Sequence, residues 1–123
     1  MSINLLEVQF SSQYASLKLV AEGGGLLSNP GTVSPGALTV SVNIPHNQGI
    51  DRLLWQVGGV ISDPTSSISL AGIITPWTTS DGRIEARACL DSTNLTLFLT
   101  SSSAGIGGAD AVDWTYFYRV LAP

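Results

Sequence analysis

Apolar and polar residues alternate with a period of two along most of this chain, the repeat of strands with one buried face. From Ala37 to Ile44, Leu38, Val40, Val42 and Ile44 fall on one face, and Thr39, Ser41 and Asn43 on the other. From Arg83 to Leu90, Ile84, Ala86, Ala88 and Leu90 alternate with Arg83, Glu85, Arg87 and Cys89. Leu95, Leu97 and Leu99 then alternate with Thr96, Phe98 and Thr100. The polar stretch Asp91-Ser92-Thr93-Asn94 between these two runs predicts an antiparallel hairpin. The run from Val112 to Leu121 carries Val112, Trp114, Tyr116, Tyr118 and Val120 on one face. Its other face holds Phe117 and Leu121 as well as Asp113, Thr115 and Arg119, so this strand is expected at the centre of a sheet or at a subunit contact. Further strands are predicted around Leu17–Ala21, Leu53–Ile61 and Ser67–Ile74, with Leu5–Phe10 as another strand or a docking arm.

Clusters of Gly, Pro, Ser and Asn predict the connections Glu22–Pro35, Pro45–Asp51, Ser62–Ser66, Thr75–Gly82 and Ser101–Asp110. No segment holds a 3.6-residue period over three turns, so helix is expected to be minor. The pattern predicts an all-β chain, an antiparallel β-sandwich or jelly-roll-like domain of seven to nine strands. Residues 1–22 read as an N-terminal arm with the first strands, and 23–123 as the sandwich, one domain overall. The expected core contains Leu38, Val40, Val42, Ile84, Ala86, Leu95, Leu97, Val112 and Trp114.

Composition narrows the function classes. Charged residues are 11 % of the chain and apolar residues 44 %, which excludes a disordered chain. Five basic against nine acidic residues leave a net charge of −4, too little positive charge to neutralise many phosphates. Neither nucleic-acid binding nor electrostatic attachment to a membrane is expected. The start Met-Ser-Ile-Asn-Leu-Leu-Glu has no basic head and no long apolar run, so it is not read as a secretion signal, and cytoplasmic synthesis is the expectation. Cys89 is the single cysteine, which excludes an intrachain disulfide.

The chemical inventory is thin. His46, the one histidine, has no second histidine for a metal and no triad partner in sequence, so it is read as part of a turn with Asn47 and Gly49 in left-handed conformations. The acid pairs Asp81/Glu85 and Asp110/Asp113 are read as polar strand ends rather than as a carboxylate pair for glycoside hydrolysis or a calcium loop. Gly23-Gly24-Gly25 and Gly105-Ile106-Gly107-Gly108 lack the Lys and Ser/Thr of a phosphate loop and are expected to be flexible surface loops. Asn94-Leu95-Thr96 matches a glycosylation sequon but is read as a turn entering a strand, and Cys89 as inert. Trp55, Trp114, Tyr116 and Tyr118 are read as packing residues, with a sugar-stacking surface as the alternative. Trp77, inside Thr75-Pro76-Trp77-Thr78-Thr79, is expected in a loop as an anchor for a partner.

Three segments carry a resemblance. They are Phe10–Leu19 with its Tyr14-Ala15-Ser16-Leu17-Lys18, the alternating strand that ends in Ile44-Pro45-His46-Asn47-Gln48-Gly49, and the closing Thr115-Tyr116-Phe117-Tyr118-Arg119-Val120-Leu121. Their order resembles a group of small bacteriophage virion proteins of tail or head-decoration type. In that group a Tyr-x-x-Leu-Lys segment leads into a β-domain, a His-Asn turn follows the second strand, and the chain closes on Tyr-x-Ile/Val. This chain departs at Gln48, where the group usually has Leu, and at Ile50-Asp51, where an aromatic and a Pro are common. The resemblance implies a structural, non-enzymatic virion component made in a host bacterial cytoplasm, with no cofactor and no metal. It implies assembly with copies of itself, a trimer being the simplest form, and docking to other virion proteins. The candidate contacts are Leu6, Val8, Phe10, Trp77, Phe117 and Leu121. The alternative reading is a carbohydrate-binding β-sandwich that recognises a host cell-surface glycan.

Overall fold

The computed structural model describes residues 18–49, 53–62, 67–70, 77–79, 82–103 and 105–122 and shows a β-sandwich. Its strands are β1 (Lys18–Asn29), β2 (Ala37–Pro45), β3 (Leu54–Ser62), β4 (Ser67–Leu70), β5 (Trp77–Thr78), β6 (Ile84–Leu90), β7 (Asn94–Ser102) and β8 (Val112–Ala122). The first sheet has the order β1-β8-β3-β4 and the second β2-β7-β6-β5. Every pairing is antiparallel. In each sheet three long strands are flanked by one short edge strand. The Asp91–Asn94 turn joins β6 to β7 as the alternation predicts, with Leu90 opposite Leu95. No helix occurs among the described residues.

The residues that alternate inward fill the space between the sheets. Leu95, Leu97 and Leu99 of β7 face Val57 and Ile61 of β3 and Val112, Trp114 and Val120 of β8 in one apolar cluster. Trp114 is fully buried, and its indole N–H donates to the Gly58 carbonyl at 3.2 Å, which satisfies the one polar atom of the ring. Of the expected core, Ile84, Ala86, Leu95, Leu97, Val112 and Trp114 are buried. Leu38, Val40 and Val42 are only half-buried. They face inward, but β2 is an edge strand with a neighbour on one side only, so water reaches their flanks.

Asn29 ties the two sheets together at the end of β1. Its side chain is 1 % exposed, and its amide donates to the carbonyls of Leu38 at 2.8 Å and Leu99 at 3.0 Å, both in the opposite sheet. Its Oδ1 accepts from the Gly31 N–H at 2.9 Å and bends the chain out of the strand.

The glycine run corrects the sequence reading. Glu22–Pro35 was expected as a connection with Gly23–Gly25 in a flexible loop, yet β1 continues through all three glycines to Asn29. It thereby also runs through the boundary drawn between residues 22 and 23. The reason lies across the sheet, where Gly23 is opposite Tyr118 and Gly25 opposite Tyr116. A Cβ on Gly23 would sit 2.8 Å from the Tyr118 hydroxyl oxygen, and one on Gly25 2.6 Å from that of Tyr116. The two rings lie over backbone that no side chain covers, an aromatic packed on strand glycine that only a neighbouring strand can supply.

A second correction concerns Thr75–Gly82. Trp77 and Thr78 form a two-residue edge strand opposite Ala86 and Glu85, so Trp77 is not in a loop. The β6 backbone has hydrogen-bonding groups to offer on that edge, and even two residues can take them. The expected strand Ser67–Ile74 is seen as Ser67–Leu70, and Ala71–Ile74 lies outside the described residues.

Candidate functional site

The two outer faces of the sandwich differ in chemistry. On the second sheet the outward positions are Thr39, Ser41 and Asn43 of β2, Thr96, Phe98 and Thr100 of β7, and Glu85, Arg87 and Cys89 of β6. Thr39 and Thr100 share a hydroxyl–hydroxyl bond at 2.7 Å, and the Thr96 hydroxyl donates to Asn43 Oδ1 at 2.9 Å. Phe98 lies under the Arg87 guanidinium at 4.5 Å, and Arg87 pairs with Glu85 at 3.4 Å. This face is a network of small polar side chains with its one aromatic covered by a cation.

The outer face of the first sheet is built in rows across β1, β8 and β3. Residues directly opposite in an antiparallel pair project to the same side. The rows are Leu19–Leu121–Leu54, Glu22–Arg119–Gln56, Gly24–Phe117–Gly58 and Leu26–Thr115–Val60. Leu26 is 61 % exposed, Leu54 52 %, Leu19 50 % and Phe117 40 %, and Val60 is exposed as well. The Glu22–Arg119 ion pair, at 3.3 Å, crosses the middle of the apolar rows and is half-exposed, so it contributes little to stability. Phe117 stands with a glycine on each side, so no neighbouring side chain in its row shields the ring. Two shallow hollows flank Arg119. One, of about 260 Å³, lies toward Phe117, and the other, of about 300 Å³, lies toward Leu54 and Leu121.

The structure places the sequence-predicted residues as follows. Val112–Leu121 forms most of β8, at the centre of its sheet between β1 and β3. Phe117 and Leu121 both project from its outer side, Phe117 exposed and Leu121 half-buried. Leu6, Val8 and Phe10 lie outside the described residues, as does Asp81, and the exposure of the Trp77 side chain lies outside them too. Sequence reading missed the contribution of β1 and β3 to this face. Leu19, Leu26, Leu54 and Val60 are scattered in the chain, and no local signal marks them as one surface.

His46 is a structural clip. Its ring is 4 % exposed, Nδ1 accepts from the Gln48 N–H at 3.1 Å, and Nε2 lies 2.7 Å from the Asp91 carbonyl. A carbonyl only accepts, so Nε2 is the donating nitrogen of the ring, and Nδ1 is the accepting one. The Thr93 carbonyl accepts from the N–H groups of His46 and Asn47, which sews the 45–49 turn onto the β6–β7 turn. Asn47 and Gly49 adopt φ of 55° and 70°, the left-handed pair expected of this turn. His46→Ala should cost about 1–3 kcal/mol through the unpaired carbonyl and amide, with assembly retained. Gly49→Val should be worse for the turn, since a β-branched residue resists positive φ. Urea unfolding and sedimentation of both variants check this.

The remaining ionisable groups do not gather. Among the described residues no three of His, Cys, Asp and Glu come together as metal ligands. Asp110 and Asp113 are both exposed, and the Asp110 carbonyl accepts from the Ser101 hydroxyl. Cys89 is exposed on the polar face. Asp91 Oδ1 accepts the N–H groups of Asn94 at 2.6 Å and Thr93 at 2.8 Å, and these bonds hold its carboxyl below the usual carboxylate value. The support this gives the turn is in place above the unfolded carboxylate range and is lost as pH falls through the lowered value.

Comparison with protein-family models, curated proteins and solved structures finds no match to this chain. The functional reading therefore rests on the surface chemistry and on the order of motifs in the sequence.

Proposed function

We propose that this protein is a structural component of a bacteriophage virion, of tail or head-decoration type, that acts by self-assembly and by docking to other virion proteins and performs no catalysis. One observation carries the reading: the outer face of β1-β8-β3 leaves Leu19, Leu26, Leu54, Val60 and Phe117 exposed in rows on both sides of the Glu22–Arg119–Gln56 row, while the outer face of the other sheet is mostly Ser, Thr and Asn with Phe98 under Arg87. Exposed apolar rows around a charged pair, on a sandwich whose opposite face is polar, mark an interaction surface. Burying it in a symmetric homo-oligomer, most simply a trimer, removes it from water without any cofactor. The motif order that resembles small virion proteins supports the same conclusion. The nested pairing of β1 with β8 and β2 with β7 across two sheets is shared with jelly rolls, whereas β3 pairs with β4 and β6 with β5. Such domains occur both in capsids and in lectins, so the architecture alone does not choose between them.

Sedimentation velocity of the wild-type chain at about 100 μM tests the proposal, since a buried face of this kind holds micromolar complexes. A stable oligomer is expected, and a monomer across moderate salt overturns the reading. The double variant Leu54→Ser/Phe117→Ser should be monomeric with an unchanged far-UV spectrum, because both side chains are already about half wet.

The second reading, a glycan-binding sandwich, is favoured by one feature. The Phe117 ring between Gly24 and Gly58 borders the polar row Glu22–Arg119–Gln56, an aromatic platform beside hydrogen-bonding side chains. A monomeric wild type that binds an arrayed glycan, with binding lost in Phe117→Ala, would replace the first reading by this one.

A further inference from the structure

We infer that the outer face of β1-β8-β3 packs face to face on the same face of a second copy, about a two-fold axis that runs parallel to the strands, midway between β1 and β8. The inference rests on the self-assembly reading and gives this face a two-fold axis in place of the three-fold of a simple trimer.

The chain carries a net charge of −4, so two copies repel one another on the whole. The outer rows are balanced instead. They hold a single acid, Glu22, and a single base, Arg119, which sit side by side on neighbouring strands. Turning a copy over about an axis midway between those strands brings its Glu22 opposite the Arg119 of the other copy, and its Arg119 opposite the other Glu22. The charges then alternate in sign around the axis, and the ion pair within each chain is joined by two between the chains.

Shape obeys the same axis. A two-fold parallel to the strands returns each row onto the same row. Phe117 of each copy then stands over Gly24 of the other, where no side chain occupies the space. Leu19 meets Leu121, Leu26 meets Thr115, and Leu54 and Val60 flank the contact at its rim. Packed sheets are rotated by about 30°. The match is therefore closest in the two middle rows, which hold the ion pair and the Phe117–Gly24 contact.

Other axes serve the charges less well. An axis between β8 and β3 also seats Phe117 over a glycine, Gly58, but it sets Arg119 against Gln56 and leaves Glu22 with no cation across the interface. An axis along β8 sets Arg119 on Arg119 and Phe117 on Phe117. A ring of three joins two different patches. Among the described residues the other broad face offers no apolar partner patch, because it is a hydroxyl and amide network with Arg87 over its one aromatic.

The test reverses the two charges separately in the full chain. Glu22→Arg alone and Arg119→Glu alone each put like charges across the axis and should weaken self-association at least about tenfold in sedimentation equilibrium. Both side chains are half-exposed, so the far-UV spectrum and unfolding midpoint should stay close to those of the wild type. Mixed in equal amounts, the two variants should recover wild-type affinity as a one-to-one complex, identified by native mass spectrometry. Positions 22 and 119 still carry like charges within each chain of the mixture, so the recovery comes only from pairing across the interface. The double variant Glu22→Arg/Arg119→Glu, which exchanges the charges within one chain, should assemble like the wild type.

A mixture that stays weak, a recovered complex of another stoichiometry or a double variant that does not assemble overturns the inference and leaves the self-assembly reading standing. So does a single variant that assembles like the wild type, as Glu22→Arg would if the axis lay along β8 or between β8 and β3. A monomeric wild type overturns both.

Discussion

Trp114→Ala removes about 3–5 kcal/mol through the lost burial and the cavity, and further stability through the unpaired Gly58 carbonyl. The ring is fully buried at the centre of the molecule, where Val112, Val120, Ile61 and Leu27 belong to the same cluster. Ile61 and Leu27 are its direct cross-strand neighbours on the two sides. A domain of this size has about 5–15 kcal/mol in total, so the variant loses a large fraction of it. Thermal unfolding followed by circular dichroism, at one protein concentration for all samples, should show a midpoint lower by more than about 10 °C. Trp114→Phe keeps most of the apolar volume and loses the indole N–H, so it should fall between wild type and Trp114→Ala. Equal midpoints for the alanine variant and the wild type would show that the cluster does not depend on this ring.

Asn29 produces the second large effect, and for an aspartate in its place the size of the loss depends on pH. Asn29→Ala removes two hydrogen bonds that reach across the sandwich and leaves the Leu38 and Leu99 carbonyls short of a donor, about 2–4 kcal/mol. Asn29→Asp is nearly isosteric but aims a carboxylate oxygen at the same two carbonyls in a buried site. Burial and repulsion raise the folded-state pKa of the introduced acid above its unfolded value. The variant is then least damaged at pH below the unfolded value, where both states hold the proton, and loses stability as pH rises through the raised folded value. At neutral pH it should be less stable than Asn29→Ala. Urea unfolding of the three proteins at pH 4 and pH 7 measures this, and an aspartate variant as stable as wild type at pH 7 would refute the strut.

The period-two pattern by itself specified β2, β6, β7 and β8 with bounds close to those observed, together with the β6–β7 hairpin. It did so because alternation reports directly which side of a strand loses water. The chain alone also identified the left-handed residues of the His46 turn, since Asn and Gly adopt that backbone at least cost. Tertiary structure decided the rest. Gly23–Gly25 has no side chains from which a pattern could be read, and only the rings of Tyr116 and Tyr118 on the next strand make it part of a sheet. Leu38, Val40 and Val42 carry the same pattern as the deep core, and their half-burial follows from an edge position that pairing order alone assigns. The apolar outer face could be glimpsed in β8, whose two sides both hold large apolar groups, but Leu19, Leu26, Leu54 and Val60 join it through register. Register is a relation between strands distant in sequence, and alternation within one strand carries no record of it.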